Sequence, residues 1–190
     1  MTKDPTALPT SPPDGPIRPK KMEVKRAFKR RGSARVSQPA LTALSTATSG
    51  LLSEVVDAAA KKAGDGAKIR SAHIRTAVRE DSGLNTLAGE WLPAQAAPPE
   101  ESAEAAPHIR WRSFIKQLLH SHDVSASTGA RGILHNLVDE FVNQVVQDAH
   151  ALARKQHSLT IDENEVRAAI EIITPSKLLA RVRAKAEKAH

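Results

Sequence analysis

The sequence of 190 residues contains no cysteine and no tyrosine, and only 3% of its residues are aromatic. Without cysteine, disulfides and thiolate metal sites are excluded. Ala, Val, Leu and Ile must form the core, which suits packed helices better than β-sheet layers. No apolar run approaches the roughly 20 residues that a membrane helix needs, and MTKDPTALPTSPPDGP at the start holds no hydrophobic signal core. We therefore expect a soluble all-α protein with no membrane partner.

Positive charge is present but unevenly placed. The formal net charge is +7. Residues 1–36 contain ten Lys and Arg against three Asp and Glu, whereas the remainder contains 18 of each. A basic arm of this kind is typical of proteins that bind nucleic acid, an anionic membrane or an acidic protein, although a solubilising tail would show the same excess.

Two stretches have the spacing of long amphipathic helices. Residues 131–155 and 41–62 each carry apolar residues every three or four positions, which places them on one face of a helix. The first would be roughly 37 Å long, too long for a short neighbouring helix to cover its apolar face. We therefore expect the two to pack together. Their predicted inward residues are Leu134, Leu137, Val138, Phe141, Val142, Val145, Val146, Ala149, Leu152 and Ala153 in one, and Leu41, Leu44, Ala47, Leu51, Leu52, Val55, Val56, Ala58 and Ala59 in the other.

Shorter helical patterns flank both long ones. KKMEVKRAFKRR at 20–31 predicts a basic helix, and residues 71–79 predict another with Ser71 as its N-cap. In the second half, RWRSFIKQLLHSH at 110–122 predicts a helix, Asp162 and Glu165 form a capping box for the next, and a basic helix is expected over 176–189 after Pro175.

The two halves repeat the order short, long, short. Ile69, Ile74 and Arg75 match Ile161, Val166 and Arg167 at a constant offset, which indicates an internal repeat. The predicted organisation is a disordered tail at 1–19, a first unit at 20–89, a Pro/Ala/Glu linker at 90–108 and a second unit at 109–190.

The second unit strongly resembles the 2B core histone. The stretch ILHNLVDEFVNQVVQDAHALARKQHSLTIDENEVRAAI resembles that family's central helix, second loop and third helix, and TPSKLLARV resembles its C-terminal helix. The first unit resembles the 2A core histone through Arg35-Val36, SEVVDAAAKKA and IRSAHIRTAVREDSGLNTLAG. The chain therefore looks like a histone doublet of the kind found in giant DNA viruses.

This resemblance implies two tandem histone folds paired as a handshake pseudo-heterodimer, either within one chain or swapped between two. It implies a DNA-packaging protein that binds the backbone of double-stranded DNA without sequence specificity and forms nucleosome-like particles with histone 3/4-like partners. The expected location is the host nucleus, the viral factory or the virion. No cofactor, small-molecule substrate or enzymatic activity is expected.

The resemblance also assigns DNA-contacting residues, to which the first basic helix adds four more cations. Helix N-termini present free N–H groups and a positive dipole end to phosphate. The candidates are Arg26, Lys29, Arg30, Arg31, Arg35, Lys68, Arg70, Ser127, Thr128, Arg131, Lys155, His157, Ser158 and Thr160. Each has a simpler interpretation as solvated surface or, for the hydroxyls, as a helix cap.

Departures from the family pattern refine these expectations. Ser158 stands where the 2B family has an arginine, so the DNA contact there should be weaker, and Lys155 replaces an aromatic residue that meets histone 4. The acidic patch of the 2A–2B dimer is partly kept as Glu54, Asp57, Glu80 and Asp81, and we expect weak binding of proteins that read that patch. Trp91 is either the remnant of the segment that docks on histones 3 and 4 or a residue that packs on its own core.

Two other interpretations remain open. The run His120-Ser121-His122-Asp123 is the best metal-binding candidate, but it has no second ligand pair. The alternative function is a histone-fold scaffold subunit of a transcription or chromatin complex that touches DNA weakly.

Overall fold

The computed structural model describes residues 17–30, 35–64, 66–92 and 111–188. The predicted tail up to residue 16, the linker from residue 93, and Arg31 lie outside these ranges. The helices of the described chain are α1 (Lys21–Arg30), α2 (Gln38–Ala63), α3 (Ser71–Glu80), α4 (Ser82–Ala88), α5 (Arg112–Ser121), α6 (Thr128–Lys155), α7 (Glu163–Ile173) and α8 (Ser176–Lys188), with two-residue strands β1 (Arg35–Val36) and β2 (Thr160–Ile161). The expected order of short and long helices is confirmed.

Both long helices begin one turn earlier than the apolar pattern indicates, because a serine caps each of them. The Ser37 side chain accepts a hydrogen bond from the Ala40 amide at 3.3 Å, and Ser127 accepts one from Ala130 at 3.2 Å. Such caps satisfy N–H groups that lack a partner within the helix. Helix α2 ends where Gly64 adopts a φ of +85°.

One local prediction was wrong, and one helix was not predicted. Ser71 is the first residue of α3, and the N-cap position belongs to Arg70, whose amide donates to His73 Nδ1 at 3.3 Å. Helix α4 was not predicted, because its apolar residues Leu84, Leu87 and Ala88 make only one turn of pattern. Asp81 accepts from the Leu84 amide at 2.9 Å and caps this helix.

The predicted inward residues of α2 and α6 lie in one core. All are buried except Ala47, Ala58 and Leu152, which are partly buried against it. The same core contains residues of α1, α3, α5, α7 and α8. Trp91 is partly buried against this core, which agrees with the interpretation that it packs on its own protein.

The halves of the chain are interleaved. Helix α2 of the first half packs against α6, α7 and α8 of the second, and α6 in turn packs against α1 and α3 of the first. Because the apolar faces of the two halves are shared in this way, neither half encloses a core by itself. Among the described helices, none combines the length and apolar character required to cross a membrane.

Candidate nucleic-acid interface

Two loop pairs join the halves, each formed by one loop from either half. The first loop pair is the parallel pairing of β1 with β2, in which Arg35 stands opposite Thr160 and Val36 opposite Ile161. The Ser37 amide adds a hydrogen bond to the Ile161 carbonyl at 3.1 Å. Arg35, which precedes α2, is thereby brought beside the loop that follows α6.

The second loop pair is the bridge between Ile69 and Ala126. The Ile69 amide donates to the Ser125 carbonyl at 2.8 Å, and the Ser127 amide donates to the Ile69 carbonyl at 2.9 Å. Lys68 and Arg70 flank the buried Ile69 and are exposed. They therefore lie beside the N-terminus of α6, where Thr128 and Arg131 are exposed as well.

The loop pairs lie at opposite ends of the long helices. Helix α2 starts after the first loop pair and ends before the second, and α6 runs the other way. The 28 residues of α6 span about 42 Å at 1.5 Å per residue. The sequence candidates are therefore gathered into two clusters near the ends of this rod.

The three candidates on α1 form a separate group. Arg26, Lys29 and Arg30 are exposed, while Val24 and Phe28 on the other face are buried. Helix α1 packs against α2 and α6 through this apolar face. Its basic face is consequently turned toward solvent.

The candidate cations are not held in ion pairs. In the described ranges, no ion pair involves any cation of the two loop pairs or of the basic face of α1. Arg26 interacts electrostatically with Glu23, which lies three residues earlier on α1. These cations can therefore meet an external anion without first breaking an ion pair.

Two hydroxyls at the loop pairs differ in what they can offer. Ser127 Oγ accepts from the Ala130 amide, so its proton remains available to a phosphate oxygen. Ser158 Oγ instead donates to the Thr160 carbonyl at 2.6 Å and accepts from the Thr160 amide at 3.2 Å. The neighbouring His157 is exposed at a φ of +54°. The first loop pair therefore has fewer donors available than the second.

The four acids of the expected patch are paired with cations of the chain. Arg181 on α8 contacts both oxygens of Asp81, at 2.7 and 3.0 Å, and lies 3.5 Å from Glu54. Asp57 binds Lys185 and accepts from His122 Nδ1 at 2.7 Å, and Glu80 pairs with Lys62. Helix α8 thus covers three of these acids with its own positive charge.

The ion pairs alter the acidity of two carboxyls. The hydrogen bond from Arg181 holds the pKa of Asp81 below its usual value, in spite of some burial. Burial alone would raise the pKa of Asp57, but the hydrogen bond from Lys185 and the charge of His122 together outweigh it and lower that pKa. Both acids are therefore charged at neutral pH and held by the second half of the chain.

The metal candidate is not assembled into a ligand set. The described ranges hold no group of three or more His, Cys, Asp or Glu side chains positioned to bind a metal ion. His122 uses both ring nitrogens within the protein, since its Nε2 lies 3.3 Å from Ser53 Oγ and its Nδ1 contacts Asp57. This histidine ties the end of α5 to α2.

No protein-family model matches the chain. Among solved structures it is similar to a histone from Methanopyrus kandleri, with a TM-score of 0.57 and 15% sequence identity over 83% of this chain and 97% of that chain. The chain has a histone-like fold. Each half is much shorter than 83% of the chain, so the region that is similar to this histone includes parts of both halves.

Two cations with a place at this interface were missed by the sequence analysis. Arg75 and Arg79 lie on one face of α3, in a cleft of about 710 Å³ that Lys68, Arg70 and Ser127 also line. The i, i+4 spacing of the two arginines after a basic loop was the available signal. Their convergence with the start of α6 depends on the fold.

Proposed function

We propose that this protein is a DNA-packaging core histone doublet, in which a 2A-like and a 2B-like histone fold pair as a handshake within one polypeptide. It binds the backbone of double-stranded DNA without sequence specificity. The observation that carries this proposal is the pair of basic loop clusters at the two ends of α2 and α6, each brought together from both halves.

The spacing of the clusters supports contact with a duplex. The long helices separate them by about 40 Å, close to the roughly 34–36 Å of one turn of DNA. Phosphates that face the protein recur once per turn, so both clusters can engage one side of a bent or straight duplex. Arg35 contacts phosphate from the first cluster. The corresponding cations of the second cluster are Lys68, Arg70 and Arg131.

The chemistry of the clusters favours phosphate over base recognition. Lys, Arg, free hydroxyls and a helix N-terminus are the groups that bind phosphate oxygens, and such contacts carry no sequence information. The Ser158 hydroxyl already donates its proton to the Thr160 carbonyl, which supports weaker DNA binding at the first loop pair than at the second. We therefore expect DNA binding that tolerates any sequence and is stronger at the second loop pair.

Partners resembling histones 3 and 4, and a location in a host nucleus, viral factory or virion, belong to the same proposal through the resemblance of the sequence. Two large apolar side chains of the second half are available for contact with a protein partner. They are Leu159 before α7 and Ile172 within it, which are 82% and 67% exposed. The paired state of the four patch acids supports weak capture of basic patch-binding peptides.

Salt dependence of DNA binding tests the backbone contact. If six to ten phosphates are neutralised, affinity falls about 10³–10⁵-fold between about 50 and 200 mM salt. Lys68→Gln should reduce the slope of log affinity against log salt by about 0.9, because one phosphate contact is lost. Lys61→Gln is the matched control, since Lys61 is exposed near the end of α2 and outside both loop pairs. A flat salt response, or equal effects of the two substitutions, would contradict the proposal.

Reconstitution distinguishes packaging from the scaffold alternative. The full chain is assembled on long DNA with a doublet resembling histones 3 and 4 and digested with nuclease. A ladder of protected fragments supports particle formation. Retained protein binding without a ladder favours a histone-fold scaffold that uses Leu159, Ile172 and their surroundings to bind another protein.

A further inference from the structure

A basic cleft runs along α3 beyond the second loop pair. Its volume is about 710 Å³. Ser71, Arg75 and Arg79 recur along α3 at the spacing of one helix face, and α3 from Ser71 to Arg79 covers roughly 12 Å at 1.5 Å per residue. No acidic side chain belongs to the described lining. The groups that matter chemically are Lys68, Arg70, Arg75, Arg79, Ser71 and Ser127.

Arg75 is the unusual member of this cleft. Its residue is part-buried, and its Nε and Nη2 atoms are inaccessible to solvent and have no hydrogen-bond partner in the described protein. Buried N–H donors without an acceptor are unfavourable. No ion pair of the described chain involves Arg75, and the residue also lines the cleft, so an anion bound there would balance the charge of its guanidinium.

Two helix N-termini converge on the same place. Gly129 in the first turn of α6 lies so near the start of α3 that a Cβ there would stand 2.7 Å from Ser71 Oγ. Helices α3 and α6 are 10 and 28 residues long, and both direct the positive end of their dipoles toward this point. The Ser71 and Ser127 hydroxyls stand beside the cations as further donors. Helix dipoles, hydroxyls and unpaired guanidinium groups all favour a phosphate ligand.

We propose that the cleft binds phosphate groups in series, with Arg75 and Arg79 as binding residues beyond the loop contact. This inference deepens the proposed function, because Lys68 and Ser127 at one end of the cleft belong to the second loop pair. The ligand is either a further stretch of the DNA backbone or a separate inorganic oligophosphate. Both present consecutive anionic phosphates, and the length of the α3 face accommodates more than one.

Calorimetric titration of the full chain with inorganic tripolyphosphate, without DNA, tests the cleft directly. We expect one-to-one binding that weakens about tenfold in Arg75→Gln, since a hydrogen-bonded charge contact is lost. Arg79→Gln should weaken it about threefold or more, and Arg79 is exposed, so this second variant keeps the test valid if Arg75→Gln folds poorly. Arg112→Gln, an exposed arginine at the start of α5 outside the cleft, is the matched control and should bind like the wild type.

The salt slope of DNA binding then separates the two sources. A slope smaller by about one in Arg75→Gln means that DNA phosphates fill the cleft. An unchanged slope with weakened tripolyphosphate binding means that a separate oligophosphate is the ligand. If tripolyphosphate binds the wild type and Arg75→Gln equally, or if Arg112→Gln loses as much, the proposal is overturned. If the wild type binds tripolyphosphate but not DNA, the packaging function is rejected and the phosphate site in the cleft is retained.

Discussion

The sharpest stability prediction concerns Gly50, where α2 and α8 touch. Gly50 is buried in the middle of α2, and a Cβ placed there would overlap the Val182 carbonyl oxygen and stand 2.9 Å from Val182 Cγ1. The carbonyl is backbone and cannot swing aside as a long side chain can. Gly50→Ala therefore requires α8 to move away from α2.

Two opposing effects set the size of the change. Replacing glycine by alanine inside a helix is favourable by about 0.5–1 kcal/mol. Forcing an extra methyl group into a packed contact costs about 1–3 kcal/mol. The steric cost is the larger, so we expect Gly50→Ala to lower the free energy of unfolding by about 0.5–2 kcal/mol.

Gly132 provides the matched control. It lies in α6, is exposed, and has no atom within 4 Å of a built Cβ among the described residues. Gly132→Ala should therefore stabilise the protein by about 0.5–1 kcal/mol. Urea denaturation followed by circular dichroism measures both. If the free energy of unfolding of Gly50→Ala equals that of Gly132→Ala, then α8 does not approach α2 closely at Gly50.

Two further predictions concern contacts between distant residues. Asp81→Asn keeps the cap on α4 but loses the charge paired with Arg181. Because that pairing lowers the folded pKa of Asp81 below its usual 3.8, the charge stabilises the protein above about pH 4 and this contribution disappears as pH falls further. Urea melts of this variant should show a free energy of unfolding lower by up to about 1 kcal/mol at pH 7, and the difference from the wild type should vanish toward acid pH. A difference that persists in acid would contradict the ion pair. Trp111→Phe removes the hydrogen bond that the fully buried indole donates to Asp139 at 2.6 Å, so thermal melts should show a free energy of unfolding lower by about 1–3 kcal/mol. An unchanged melting temperature would mean that this hydrogen bond does not stabilise the fold.

The apolar pattern sufficed to predict the architecture of the long helices. Leu134, Val138 and Phe141 repeat at helical spacing, and burial on one face follows from that spacing whatever the partner. The helix starts were misjudged, because the first turn depends on a capping serine and not on apolar residues. Helix α4 was missed for a similar reason, since one turn of pattern is too little to distinguish from a loop.

The sequence predicted less of the candidate interface than of the helices. Residues next to the paired loops, such as Lys68 and Arg35, could be named from the family resemblance. The shielding of two guanidinium nitrogens of Arg75 could not, because a charged residue on an amphipathic helix would normally face water. The close approach of Gly129 to Ser71 could not be predicted either, because these residues are distant in sequence and meet only in the folded chain.

The acidic surface shows the same limit. The family resemblance indicates an anionic docking patch at Glu54, Asp57, Glu80 and Asp81. Arg181 and Lys185 on α8 pair with three of these acids and Lys62 pairs with Glu80, so the charge of this surface depends largely on where α8 lies. The expectation of weak binding to patch-reading proteins stays a prediction with a specific cause. Substituting Arg181 would expose part of that negative charge.

The loop pairing between the two halves has a consequence for assembly. When the handshake forms within one chain, as we propose, β1 and its partner β2 belong to one molecule, and the pairing of Arg35 with Thr160 is intramolecular. The equilibrium of such a pairing does not depend on protein concentration, unlike that of a dimer of separate subunits. The two basic loop clusters are then formed in equal number, and dilution does not separate the halves that build them.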